Sequence, residues 1–130
     1  MKPIEEIILP NGLKLIISDL SRAIAADTVK IEVAFKIDID LKESFFQNTA
    51  DYQDVKKIFG DKLVFENKEE RTFVGKEQGD AVRAELINTF KKNLLNYLGT
   101  ENFGAKYALS LLRDIRQNPY KYQSRLDDAT

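Results

Sequence analysis

The chain reads as an α+β protein: an N-terminal antiparallel β-sheet, made of a hairpin plus a long strand over 29–41, packed against a C-terminal antiparallel helix pair. Two patterns predict this. Residues 29–41 carry an apolar side chain at every odd position (Val29, Ile31, Val33, Phe35, Ile37, Ile39, Leu41) with mostly charged ones between, the period-two mark of a strand with one wet face. From about Asp80 the period becomes 3.6. Val82, Leu86, Ile87, Phe90, Leu94, Tyr97 and Leu98 share one arc, with Asn88, Lys92 and Asn96 opposite and Gly99 as the stop.

The remaining elements follow in order. Ile4–Leu9 and Leu13–Ile17 flank Pro10-Asn11-Gly12, where proline pre-sets φ for the first turn position and glycine takes the left-handed one. A hairpin with a type I turn and a bulge results. Residues 18–27 read as a polar connection. A helix is expected from Thr49 to Phe59, with Thr49 or Asp51 as N-cap and Gly60 past its end. Leu63–Phe65 and Thr72–Val74 are short strand candidates joined by a polar turn over residues 66–71, and the second fits the start of the next helix equally well. The last helix spans about 102–117, with Phe103, Tyr107, Ala108, Leu111, Leu112 and Ile115 inward, and Asn118-Pro119 ends it.

With 130 residues, 43% of them hydrophobic, the chain fits one domain, expected over 1–126 with residues 127–130 fraying. It contains neither cysteine nor histidine. That removes thiolate nucleophiles, imidazole-activated serines, Cys/His zinc and iron–sulfur sites, and any imidazole switch near neutral pH. No cofactor is called for, and the balance is against an enzyme. The early apolar run Ile7–Leu9 is too short for a signal peptide or a membrane span, so a cytoplasmic protein without membrane contact is expected. Charge is uneven: residues 1–80 hold 12 Lys and Arg against 16 Asp and Glu, net −4, and residues 81–130 hold 8 against 5, net +3. The simplest consequence is attraction between the two halves.

Three constellations bear on function. Asp38 and Asp40 share one strand face with Glu43 just beyond, oxygen ligands that suit Mg²⁺ or Ca²⁺, although alternating acids on a wet face also serve solubility. Lys106, Arg113 and Arg116 fall on one polar arc of the last helix beside an exposed Leu109, and Lys121 follows between Tyr120 and Tyr122. Basic groups interleaved with rings suit single-stranded nucleic acid or an acidic peptide, while the net charge of −1 and the lack of a nucleic-acid-binding motif argue for internal pairing. Arg83 stands within an apolar arc, its stem expected to pack and its guanidinium to reach solvent or a carboxylate. The expected function is a small non-catalytic interaction or structural protein that self-associates as a homodimer. Its main support is the 13-residue strand, at about 3.3 Å per residue longer than so small a domain needs. A carboxylate-based metal enzyme or ligand binder, and a binder of anionic chains, are the alternatives.

Overall fold

The computed structural model describes residues 2–122, and the expected frayed end at 127–130 lies outside them. The fold is α+β. Strands β1 (Lys2–Ile8), β2 (Lys14–Asp19), β3 (Arg22–Ala25), β4 (Thr28–Asp40) and β5 (Lys62–Gly75) form one antiparallel sheet, accompanied by helices α1 (Thr49–Phe59), α2 (Gly79–Leu98) and α3 (Phe103–Gln117). The chain divides into two compact units: unit 1 runs to Ile37 and resumes over Glu66–Thr100, and unit 2 holds Asp38–Phe65 and the described residues from Glu101 on.

In unit 1 the hairpin turn forms as its residues dictate. Gly12 takes φ +88°, its N–H donates to the Leu9 carbonyl at 2.9 Å, and the Leu9 N–H donates to the Leu13 carbonyl at 2.8 Å. Asn11 does a second task that the sequence does not disclose. Its Nδ2 donates to the carbonyls of Leu98 and Thr100 at 2.9 and 2.8 Å, so the turn satisfies orphan acceptors at the C-terminus of α2. Gly99 is required beside it, because a Cβ there would stand 2.8 Å from Cδ of Pro10.

Residues 18–27, expected as a connection, are instead mostly strand. Leu15 faces Ile37 and Arg22 faces Lys30 in one common register, so β2 and β3 are successive stretches of a single partner for β4. They part at Leu20–Ser21, where the Ser21 hydroxyl replaces a ladder acceptor and takes the Glu32 N–H at 3.1 Å. The side chain mends what the backbone interrupts.

Along β4 the predicted odd face holds: Ile31, Val33, Phe35, Ile37 and Ile39 are buried. Within unit 1 that face is covered by α2, which meets odd-numbered strand residues at Phe35, Asp19 and Glu5. Phe90 stacks on Phe35 with ring centroids 3.6 Å apart, Arg83 donates to Asp19 at 3.1 Å, and Lys91 Nζ bonds both oxygens of Glu5 at 2.9 and 2.8 Å. Arg83 is half-buried and also bonds Asp80 at 3.0 Å, so its stem packs and its guanidinium finds carboxylates. Burial alone would raise the Asp19 carboxyl, but hydrogen bonds from Ser21 and the charge of Arg83 hold it below the usual carboxylate value.

β5 corrects a second expectation. The polar stretch 66–71 is strand rather than turn, because flanking residues zip β5 along β4: the Leu41 N–H donates to Asp61 at one end and the Lys76 N–H to Asp27 at the other. Leu63 is buried and Phe65, Asn67 and Glu69 are half-buried, an odd-numbered inward face that flips to Val74 after Phe73. Phe73 sits at φ +56°, left-handed geometry that an aromatic residue rarely adopts and that inserts the extra residue of a bulge.

In unit 2, α1 is capped by Asn48, whose side chain accepts the Asp51 N–H at 2.9 Å, rather than by Thr49 or Asp51. Gly60 ends it at φ +81°. α3 packs on α1 and on the 3-10 turn Glu43–Phe45. Its Gly104 lies so near Ile39 and Phe45 that a Cβ would meet them at 3.3 and 3.4 Å. Phe103 is fully buried, edge-on to Phe65 at 5.6 Å and beside Tyr107 at 6.1 Å, and the Tyr107 hydroxyl donates to the Val64 carbonyl at 2.8 Å.

Candidate functional site

The carboxylates of interest lie where β4 gives way to the helical segment of unit 2. Asp38 and Asp40 point from the exposed even face, and Glu43 opens the 3-10 turn. Each finds a different environment. Asp40 lies 4.0 Å from Lys62, and Glu43 accepts the Thr49 hydroxyl at 3.0 Å, helping to start α1. Among the described residues no three or more acidic side chains gather where they could hold a metal ion.

The six residues of the C-terminal patch separate into two sets. Arg116 turns to α1, bonding Asp51 at 2.5 Å and Asp54 at 3.3 Å, and Lys121 bonds Asp114 at 3.1 Å. Tyr122 is buried, its ring edge-on to Phe59 at 5.8 Å and its hydroxyl donating to Asp114. Asp114 also accepts from Asn118 at 2.8 Å. The bonds from Tyr122, Lys121 and Asn118 hold the Asp114 carboxyl below its ordinary value, and the same contact raises Lys121. Burial, then Asp114, raises the Tyr122 phenol. Three of the six therefore serve to fasten residues 116–122 to unit 2.

Lys106, Arg113 and Tyr120 form the other set. All are exposed, Tyr120 at 90%, and among the described residues neither Lys106 nor Arg113 has an ion-pair partner. Lys106 and Arg113 share α3 with the exposed Leu109, as the helical spacing requires, and Tyr120 lies beyond its end.

A surface that the sequence reading passed over lies in unit 1. β1 is the outermost strand and pairs with β2, from Lys2 opposite Asp19 to Ile8 opposite Lys14, with a register shift between Pro3 and Glu5. Ile4 and Ile8 remain 40% and 66% exposed. The run Ile-Glu-Glu-Ile-Ile does not alternate, and a one-residue slip exchanges the faces, so the strand alone cannot say which isoleucine turns inward. The signal lies in its partner. Leu15 and Ile17 are inward-facing, and the tight turn then places Ile7 inward and Ile8 out. The acids of β1 are already neutralised within the unit, Glu5 by Lys91 and Glu6 by Lys14 at 3.7 Å. Among the described residues no helix is long and apolar enough to cross a membrane. Comparison with protein-family models, with curated proteins and with solved structures finds no match for this chain.

Proposed function

We propose that this protein is a non-catalytic interaction module that associates with a second copy of itself along the free edge of β1. The observation that carries the reading is the pair Ile4 and Ile8, large apolar side chains left in water on a strand whose outer backbone groups can take another strand. The length of β4 no longer supports it, since β2, β3 and β5 use that strand within the chain. A second copy suits the edge because Glu5 and Glu6 are matched by Lys91 and Lys14, which lowers the repulsion of like edges. Pro3 and the adjacent bulge limit the pairing to the stretch after them, so one edge falls short of the roughly 1,200 Å² of a stable interface and the dimer is weak.

Sedimentation across a concentration series tests this. The weight-average mass should rise from monomer toward dimer, and Ile8→Lys should hold it at the monomer. A parent protein that stays monomeric at every concentration overturns the reading. An anionic chain docking on Lys106 and Arg113 is the weaker alternative, because Arg116, Lys121 and Tyr122 are engaged inside unit 2.

A further inference from the structure

In unit 1 the side of β5 that turns toward α2 is polar where the middle of the covered sheet, on β2 and β4, is apolar. Leu15, Ile17, Val33 and Phe35 are fully buried on that side, yet the β5 positions there are Asn67, Glu69 and Arg71. Asn67 and Glu69 are half-buried, and Asn67 Nδ2 donates to one Glu69 oxygen at 3.1 Å, which orients the carboxylate. Among the described residues no cation pairs with Glu69. Across from it, Glu85, Thr89 and Asn93 recur at intervals of four along one stripe of α2, with Leu86, Phe90 and Leu94 on the stripe beside it. Between strand and helix lies a cavity of about 260 Å³ lined by Glu69, Arg71, Glu85, Phe90 and their neighbours.

We propose that this groove binds a small zwitterion: a protonated amine and a carboxylate on a hydrocarbon body, as in a free aliphatic amino acid. The volume lies just below the common range of roughly 300–1,000 Å³, so the ligand is small. Two carboxylates, Glu69 and Glu85, against one guanidinium leave the lining net negative, which makes the amine the main anchor. Arg71, whose Nη1 also donates to the Glu70 carbonyl at 2.9 Å, supplies the guanidinium that a carboxylate would pair with, and Leu86, Phe90 and Leu94 offer the apolar floor. The net charge sets an order of affinity: the zwitterion binds best, the amine alone weakly, the carboxylate alone least.

The test is a titration of the intact ¹⁵N-labelled protein with leucine, butylamine and isovalerate, followed by amide shifts. Leucine should move the amides of residues 67–71 and 85–94 saturably, and isovalerate should not. Glu69→Gln and Arg71→Gln should each weaken leucine by roughly tenfold, the loss expected for one charged hydrogen bond, while the rest of the spectrum stays that of the folded protein. Ile8→Lys should bind as the parent does, which separates this site from association through β1. No saturable shift with leucine, isovalerate binding as tightly as leucine, or unchanged affinity in Glu69→Gln would each overturn the proposal.

Discussion

Unit 1 ties its helix to its sheet through partners far apart in the chain, whereas unit 2 adds to such long-range bonds, Arg116 to Asp51 and Tyr107 to Val64, a cluster of short-range ones on its terminal stretch. Arg83 reaches Asp19, Lys91 reaches Glu5 and Asn11 reaches the end of α2, contacts that span 64 to 89 residues. In unit 2 Asp114 collects Asn118, Lys121 and Tyr122, all within eight residues of it. The cores differ in the same sense. Unit 1 buries aliphatic strand residues around one stacked pair, Phe35 and Phe90, and unit 2 builds on rings, with Phe65, Phe103 and Tyr107 in one cluster and Phe59 against Tyr122 in another. The contrast teaches that a cation's place in a sequence does not reveal its work. Arg83 and Lys91 dock a helix on the sheet, Arg116 joins α3 to α1, and Lys121 bonds a carboxylate seven residues before it.

The largest effect should come from breaking each core at its ring. Phe90→Ala and Phe103→Ala each remove a nearly fully buried aromatic and should cost about 3–5 kcal/mol. β4 and β5 contribute residues to both units, so we expect one cooperative transition in denaturant for either variant. Hydrogen exchange checks it. Both variants should lose protection in both units to a similar degree, and loss confined to residues 38–65 and 101–122 in Phe103→Ala would mean that the units unfold separately.

What could be read from the chain was whatever repeats locally. The odd face of β4, the apolar arc of α2 and the Pro10–Gly12 turn each declare themselves within a few residues, because a period or a turn residue is a local property. β3 and the middle of β5 did not. Arg22–Ala25 has no apolar alternation, and Glu66–Arg71 reads as a turn; both become strand because β4 offers them a ladder, a long-range cause that overrides local preference. The caps show the same division. Gly60 was visible as a stop, whereas Asn11 acting on the end of α2 depends on a contact across 87 residues. Of the candidate site residues, exposure of Lys106 and Arg113 follows from helical spacing, but the engagement of Arg116 with α1 rests on packing that no window of sequence contains.

A middling effect should appear on acidification, and in unit 2 at its terminal stretch. The bonds from Tyr122, Lys121 and Asn118 favour the ionised Asp114, so its carboxyl lies below the ordinary 3.8 in the folded protein. A depressed carboxylate stabilises the fold above the unfolded value and loses that contribution as pH falls through the lowered native one. Tyr122 should therefore leave its site only well into the acid range, read from its ring resonances. Tyr122→Phe, which deletes the first of those bonds, should move the Asp114 titration back up toward 3.8. A titration unchanged by that substitution would remove Asp114 as the clasp of this segment.

The smallest effects should separate the two arginines that helical spacing places together. Arg113 has no ion-pair partner among the described residues, so Arg113→Glu should alter stability by no more than about 0.5 kcal/mol. Arg116 is half-exposed and faces Asp51 and Asp54, so Arg116→Glu turns an attraction into a repulsion that water screens, at a cost of about 1 kcal/mol or less. Added salt should narrow the gap between the variants, because only the second rests on charge contacts within the molecule. Pairing Arg116→Glu with Asp51→Lys should recover part of the loss. Equal costs for the two single variants would show that Arg113 also has work inside the fold, and the free basic surface of α3 would then shrink to Lys106. A silent Arg113→Glu leaves that arginine free for a partner, and its exposure beside Leu109 is then the feature that an anionic chain would have to use.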